Sequence, residues 1–266
     1  MTTLHTLASG SSGNALLVSC GQTHLLVDAG ISCRRISAGL KTLGLTLQDL
    51  TAVLITHTHS DHISGLQTML KRIPVPVLAT APACDDLRWR LPVSAQCIQS
   101  LPICQKASVG DCTVTAIPTS HDAPGSCGYR LDTENGSIGI LTDTGYITEE
   151  ASDLLPGVDL VVLESNHDPE TLDCGPYPYY LKQRISGRYG HLSNGDAARF
   201  AVKLAQAGAS QIILAHLSHE NNSPAMAHYT TETALSAAGF AAGVTVAPRD
   251  YLSEGFMISG RTVCRK

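Results

Sequence analysis

Three histidines and an aspartate fall within six residues in Thr56-His57-Thr58-His59-Ser60-Asp61-His62, directly after the apolar run Val53-Leu54-Ile55. Imidazole and carboxylate are the ligands that zinc and comparable divalent ions take. Packing gives no reason to cluster histidines where Leu or Phe would fill space better, so the stretch reads as a metal site at a strand end. On an extended backbone, side chains two apart share a face, and His57 and His59 can grip one ion. Asp61 and His62 are adjacent and would diverge on a strand. At the start of a helix or in a tight turn both can instead reach a second ion. The spacing therefore points to a two-metal centre.

Four side chains do not complete two ions. The best further candidates also end apolar runs: His121 after Val114–Ser120, Asp143 after Ile138–Thr142, and His216 after Ile212–Ala215. A polar group at a buried strand end is costly unless it is paired or metal-bound. A carboxylate such as Asp143 can bridge two cations through its two oxygens. Asp28, before Ala29-Gly30, is suited either to hydrogen-bond a ligand histidine from behind or to cap a turn. His191, in Gly190-His191-Leu192-Ser193-Asn194, and His219, in the polar loop His219–Asn222, are candidates to bind a substrate phosphate or protonate a leaving group. Ser9-Gly10-Ser11-Ser12-Gly13-Asn14 lacks the Lys-Ser/Thr ending of a phosphate loop and reads as a tight turn from which Asn14 can face the site. The Thr58 and Ser60 hydroxyls are not needed as nucleophiles if the metals activate water.

These residues need a scaffold of strand ends. Ala15–Val18 and His24–Val27, separated by Cys20-Gly21-Gln22, suit a hairpin. The spacing predicts a helix over 32–43 stopped by Gly44, and helices starting near Thr46 and Ser64. Strands are predicted at Val75–Ala79, Cys112–Ile117, Ser137–Thr142, Leu160–Glu164, Gln211–Ala215 and Val244–Val246. Helices are predicted over Gly195–Gly208 and Thr230–Ala238. Tyr177–Tyr180 and the glycines from 187 to 195 read as an irregular, aromatic-rich segment. Early hairpins followed by strand–helix alternation favour mixed sheets packed on each other with helices outside, not a doubly wound dinucleotide fold. No repeat or linker divides the chain, so one domain over 1–266 is expected.

Composition sets bounds. The chain has 266 residues, is 43% hydrophobic and carries a net charge of -5. That charge argues against a passive nucleic-acid-binding module. It weighs less against an enzyme whose metals attract phosphate. Arg88-Trp89-Arg90 and Lys182-Gln183-Arg184 are local basic exceptions that read as solvated surface. No apolar run spans a bilayer and no secretory signal is read at the N-terminus. Nine cysteines without a short-spaced pair suit reduced thiols in a cytoplasmic protein, with Cys20, Cys33 and Cys84 as core fillers.

Leu26-Val27-Asp28-Ala29-Gly30, the 56–62 stretch, His121, Thr142-Asp143-Thr144-Gly145 and Ala215-His216-Leu217-Ser218 together resemble the metallo-β-lactamase-fold hydrolases, over essentially the whole chain. The resemblance implies an α+β fold, a four-layer αβ/βα sandwich of two mixed β-sheets with the site at one sheet edge. It implies that His57, His59 and His121 hold one ion, that Asp61, His62 and His216 hold the other, and that Asp143 bridges them. Gly10–Asn14, Glu164–His167, Gly190–Asn194 and His216–Asn222 are similar to the YycJ/WalJ group, cytoplasmic proteins associated with DNA exonuclease activity. Ribonuclease Z and ribonuclease J are more distant. The stretch between Asp143 and His216 is too short for the inserted β-CASP-type domain of ribonuclease J.

The expected reaction is phosphodiester hydrolysis with DNA as substrate. Two divalent ions, zinc, manganese or iron, would activate water, and Asp61 would hydrogen-bond that water. His191 would assist the leaving group, with Ser193, Asn194, His219 and Asn14 beside the substrate. The rival enzyme class is a glyoxalase-II-like thioester or lactone hydrolase, which needs the same centre but a narrow pocket. A metal-stabilised binding protein is the non-enzyme alternative. Oligomeric state is open.

Overall fold

The computed structural model describes residues 1–265. The first part of the chain builds one sheet. Its elements are β1 (Thr2–Ala8), β2 (Ala15–Cys20), β3 (Thr23–Val27), α1 (Cys33–Thr42), β4 (Ala52–Leu54), α2 (Ser60–Ile63), α3 (Leu66–Leu70), β5 (Val77–Thr80), α4 (Ala81–Arg90) and β6 (Ile98–Leu101). The second part builds another: β7 (Lys106–Val109), β8 (Cys112–Pro118), β9 (Cys127–Thr133), β10 (Gly136–Leu141), α5 (Glu149–Leu154), β11 (Leu160–Glu164), α6 (Pro169–Cys174), α7 (Tyr179–Ser186), α8 (Asn194–Gln206), β12 (Gln211–Ala215), α9 (Pro224–Ala237) and β13 (Gly243–Val246). The chain then returns to the first sheet as β14 (Phe256–Ser259) and β15 (Thr262–Arg265).

The strand orders are β15-β14-β1-β2-β3-β4-β5-β6 and β13-β12-β11-β10-β9-β8-β7. Both sheets are mixed. In the first, pairing is antiparallel up to β2–β3 and parallel from β3 to β6. In the second, β10 to β13 are parallel and β7 to β10 antiparallel.

Alternation along each strand sends side chains to two different cores. Leu16, Val18, Leu25, Val27 and Leu54 meet Val114, Tyr129, Leu131, Ile138 and Val162 between the sheets. On the outer face of the first sheet, Leu17, Leu26, Val53 and Val77 pack on Ile36 and Leu40 of α1, Met69 of α3 and Leu87 of α4. On the outer face of the second, Val161, Leu163, Ile212 and Leu214 pack on Ala201 and Leu204 of α8 and Leu235 of α9. Helix, sheet, sheet, helix is the four-layer α+β sandwich expected from the sequence. Among the described residues no helix is long and apolar enough to cross a membrane.

Local differences from the sequence reading have physical causes. The helix expected near Thr46 is a three-residue 3-10 turn, Leu47–Asp49, because Asp49 bonds back to the Thr46 amide and closes the turn. Helix α9 begins at Pro224, not Thr230; the Ser223 side chain accepts from the Met226 amide and Pro224 takes the first helical position. The segment read as irregular around Tyr177–Tyr180 contains α7, a helix with no fully buried residue and hence no apolar stripe to announce it.

Candidate metal centre

The carboxyl ends of the parallel strands of both sheets meet at one edge, beside the points where strand direction reverses. Open sheets of this kind place ligands there. β4 runs between β3 and β5 and releases the chain at Ile55. The chain bends at Thr56 and His59, and α2 starts at Ser60, so Asp61 and His62 lie in its first turn. His57 and His59 turn their rings toward each other, and Asp61 and His62 approach from a helical turn. Thr58 points away and donates to Asp86 of α4.

The strand ends are shaped by backbone conformation. Asp28, Asp143 and His216, each just past β3, β10 and β12, have φ of 62°, 56° and 55°. Left-handed backbone is disfavoured for residues with a Cβ, and concentrates where surrounding structure over-determines it. Below the loop, the Asn14 amide donates to the Asp61 carbonyl and the Ala29 amide to the His62 carbonyl, both at 2.8 Å. A Cβ on Gly30 would lie 1.6 Å from the Asp61 carbonyl oxygen, so only glycine fits there. Gly30→Ala is expected to cost about 2–4 kcal/mol and to displace the 56–62 loop, read as a lowered denaturation midpoint in urea. An unchanged midpoint would contradict this packing.

The seven side chains singled out as metal ligands lie together. His57 Nε2 is 3.1 Å and His121 Nε2 3.2 Å from His59 Nδ1. Asp61 Oδ2 is 3.3 Å from His62 Nε2 and 3.4 Å from His216 Nε2. Asp143 lies between the groups, with Oδ2 3.4 Å from His62 Nε2 and Oδ1 3.8 Å from His121 Nε2. Four metal-competent sets result: His57, His59 and His121; Asp61, His62 and His216; His57, His62 and Asp143; and Asp143, Glu164, His191 and His216.

These residues fit a pair of cations. A tetrahedral ion with ligands at about 2.0–2.1 Å separates them by about 3.3 Å, close to the spacings here. Asp143 Oδ2 is buried and accepts no hydrogen bond, which is costly unless a cation sits against it. The ring tautomers are set from behind. His62 Nδ1 donates to Asp28 Oδ2 at 2.8 Å, His121 Nδ1 to the Gly190 carbonyl at 3.2 Å, and His216 Nδ1 to Glu164 Oε1 at 2.9 Å. Each Nε2 lone pair is thereby turned inward. His59 is the exception: its Nδ1 faces inward and its Nε2 is 3.5 Å from Asp122. Burial alone would lower the His216 imidazole, but Asp143, Asp61 and Glu164 push it up to about 10. Burial likewise opposes a charge on His62, and Asp143 and Asp28 overturn it. The negative field that attracts a proton there also attracts a divalent cation. At the other end, burial and the neighbouring rings lower His57, as suits a neutral ligand.

Glu164 was not among the candidates, yet it is the buried hub of the site. Its Oε1 accepts from Nδ1 of both His216 and His191, at 2.9 and 2.8 Å. Its Oε2 accepts from the Thr144 and Leu192 amides. Burial opposes its charge, but the two imidazoles hold its carboxyl below the usual range. Glu164 ends a run of four apolar residues, just as Asp143 and His216 end theirs, and that is the signal in the sequence that marks it.

The remaining candidates are placed differently. The Asn14 side chain accepts from the Gly10 amide and donates to its carbonyl, with its amide nitrogen 3.1 Å from His62 Nε2. It braces the turn and abuts the centre. Ser193 caps α8 through the Asp196 amide. Asn194 is buried and bonded to Ser165 and Asn222. His219 is 74% exposed and paired with Glu220, off the cluster. Asp28 also accepts from the Thr56 amide and hydroxyl, tying β3 to the loop.

Residues 23–217 match the family described as the beta-lactamase superfamily domain. The chain is 36% identical to "Exodeoxyribonuclease YycJ" of Bacillus anthracis, over 89% of this chain and 90% of that protein. The chain belongs to the beta-lactamase superfamily. It is 35% identical to "Exodeoxyribonuclease WalJ" of Streptococcus pneumoniae, over 90% of both. Among solved structures, the metallo-β-lactamase fold protein YhfI from Bacillus subtilis superposes with a TM-score of 0.72 at 18% identity, covering 95% of this chain and 98% of that one, which is a likeness of fold. With the clustered ligand atoms, superfamily membership makes this chain a metal-dependent hydrolase.

Proposed function

We propose that the chain is an exonuclease acting on DNA. Two divalent ions of zinc, manganese or iron are read as held by His57, His59, Asp61, His62, His121, Asp143 and His216, with Asp143 shared. Bound there, such ions would acidify water and offset charge on the phosphoryl oxygens. The observation that carries the reading is the His191–Glu164 pair beside that cluster. Glu164 accepts from Nδ1 of His191, so Nε2 is the nitrogen left for the substrate. Glu164 fixes the ring, and as general acid His191 would give an Nε2 proton to the leaving oxygen as the phosphorus–oxygen bond breaks. A poor leaving group, such as a sugar alkoxide, needs that proton. Asp61, partly open to solvent, is positioned to accept a hydrogen bond from the attacking water. The names carried by the relatives from Bacillus anthracis and Streptococcus pneumoniae support DNA as the substrate and removal from strand ends.

Between Asp143 and His216 lie only α5 to α8, β11 and β12, which supports one hydrolase domain over 1–266 with no inserted β-CASP-type module. Nine free cysteines, six of them buried, support a reducing compartment such as the cytoplasm. The test offers protein loaded with zinc, manganese or iron a single-stranded DNA, a duplex DNA, an RNA, bis(p-nitrophenyl) phosphate and a thioester. Release of mononucleotides from DNA is expected, lost on chelation. Turnover of the thioester alone would overturn the reading.

A further inference from the structure

Two basic-aromatic patches stand outside the chemistry described so far, and charge pairing separates them. In Arg88-Trp89-Arg90, Arg88 pairs with Asp85 and Arg90 with Asp86 on the same helix, so the exposed Trp89 sits in a neutral surround. The α7 segment differs. Between Cys174 and Gly195 there are three cationic side chains and no carboxylate, in a chain of net charge -5. Four of the chain's eight tyrosines, Tyr177, Tyr179, Tyr180 and Tyr189, fall in the same stretch. Tyr179, Tyr180 and Tyr189 are 77%, 73% and 61% exposed. Among the described residues Lys182 and Arg188 have no carboxylate partner; Arg188 lies over the Tyr146 ring, 4.7 Å from its centroid.

This strip is fastened to the rim of the centre. Ser120 Oγ donates to the Arg188 carbonyl and His121 Nδ1 to the Gly190 carbonyl. Arg184 donates to Asp122, whose other oxygen faces His59 and His121. The His191 amide donates to the Ile185 carbonyl, so α7 leads directly into the residue assigned to the leaving group. Helix α7 buries no residue fully, so its tyrosines are not there to fill a core. Exposed rings interleaved with cations are what unpaired nucleic acid requires: bases stack on the rings and phosphates meet the charges. Within a duplex only the end pairs expose a face to stack, so a duplex gains far less from the rings.

We propose that Tyr177–Tyr189 is a platform for an unpaired nucleic-acid strand entering the metal centre, with Tyr179 and Tyr180 stacking on its bases and Lys182 and Arg188 against its phosphates. The inference rests on the exonuclease reading and names the surface that holds its substrate. The doubly substituted Tyr179→Ala/Tyr180→Ala chain and a separate Lys182→Glu chain, both metal-loaded, are compared with the parent on single-stranded DNA, single-stranded RNA, a blunt duplex and bis(p-nitrophenyl) phosphate. The small diester is too short to reach α7. For the tyrosine variant, KM on the single strands rises about tenfold or more, while turnover of the small diester stays within twofold. Lys182→Glu raises KM for the single strands and flattens its dependence on salt. Comparable KM rises on DNA and RNA mean the platform reads bases and phosphates common to both; a rise on one alone assigns the platform to that strand type. A parent-like KM on single strands, an equal effect on the duplex, or an equal loss on the small diester overturns the platform. A parent enzyme that cleaves the thioester and no nucleic acid overturns the exonuclease reading instead.

Discussion

Asp143→Asn is expected to lower phosphodiester turnover by about a thousandfold or more and to remove at least one of two bound ions per chain. Asp143 touches both halves of the centre, and its Oδ2 has no hydrogen-bond donor to satisfy it. Asn is the informative replacement. It has the same shape, and it tolerates the left-handed backbone at this position, where Ala would add strain. The charge is therefore removed with the strand end left in place. Metal ions supply several kcal/mol of transition-state stabilisation in such sites, and about 4 kcal/mol corresponds to about three decades of rate. Metal content by elemental analysis, turnover of bis(p-nitrophenyl) phosphate and circular dichroism are read together. Two ions per chain with turnover within tenfold of the parent would remove Asp143 from the centre.

His191→Ala separates leaving-group chemistry from metal chemistry. The imidazole is hydrogen-bonded to Glu164 and lies 3.7 Å from Asp143 through the same nitrogen, which leaves Nε2 for the substrate. General acid catalysis contributes about 10²–10⁴-fold when the leaving group is a strong base. DNA hydrolysis is therefore expected to fall by that factor. Turnover of bis(p-nitrophenyl) phosphate should fall by less than about tenfold, because p-nitrophenolate departs without a proton. Equal losses on the two substrates would show that His191 acts on the metals or on binding, and not on the departing oxygen. Loss of both ions from His191→Ala would point the same way.

Much of the centre is written locally. The 56–62 stretch holds two histidines two residues apart and a carboxylate and imidazole in the first turn of the helix that follows, and both spacings are short-range. His121, Asp143 and His216 are visible as polar residues ending apolar runs, because a strand buried on both faces shows itself as an unbroken hydrophobic stretch. The four layers are likewise legible in the order of hairpins and strand–helix units.

Glu164 and α7 were hidden for a different reason. A residue's neighbours across a parallel sheet depend on strand order and register, and β11, buried on both faces, has no polar face to fix its register. Parallel pairing sets Glu164 opposite Ala215 and Leu163 opposite Leu141, which brings the Glu164 carboxylate between the ends that carry Asp143 and His216. Helix α7 buries no residue and lacks an apolar stripe, so its charge and aromatic content read as loop until Asp122, Ser120 and His121 are seen to hold it against the centre. The sequence by itself determined which side chains can bind metal, since ligand chemistry and spacing are local. Only the tertiary structure decided which carboxylate orients them and which surface borders them, since both depend on contacts between segments far apart in the chain.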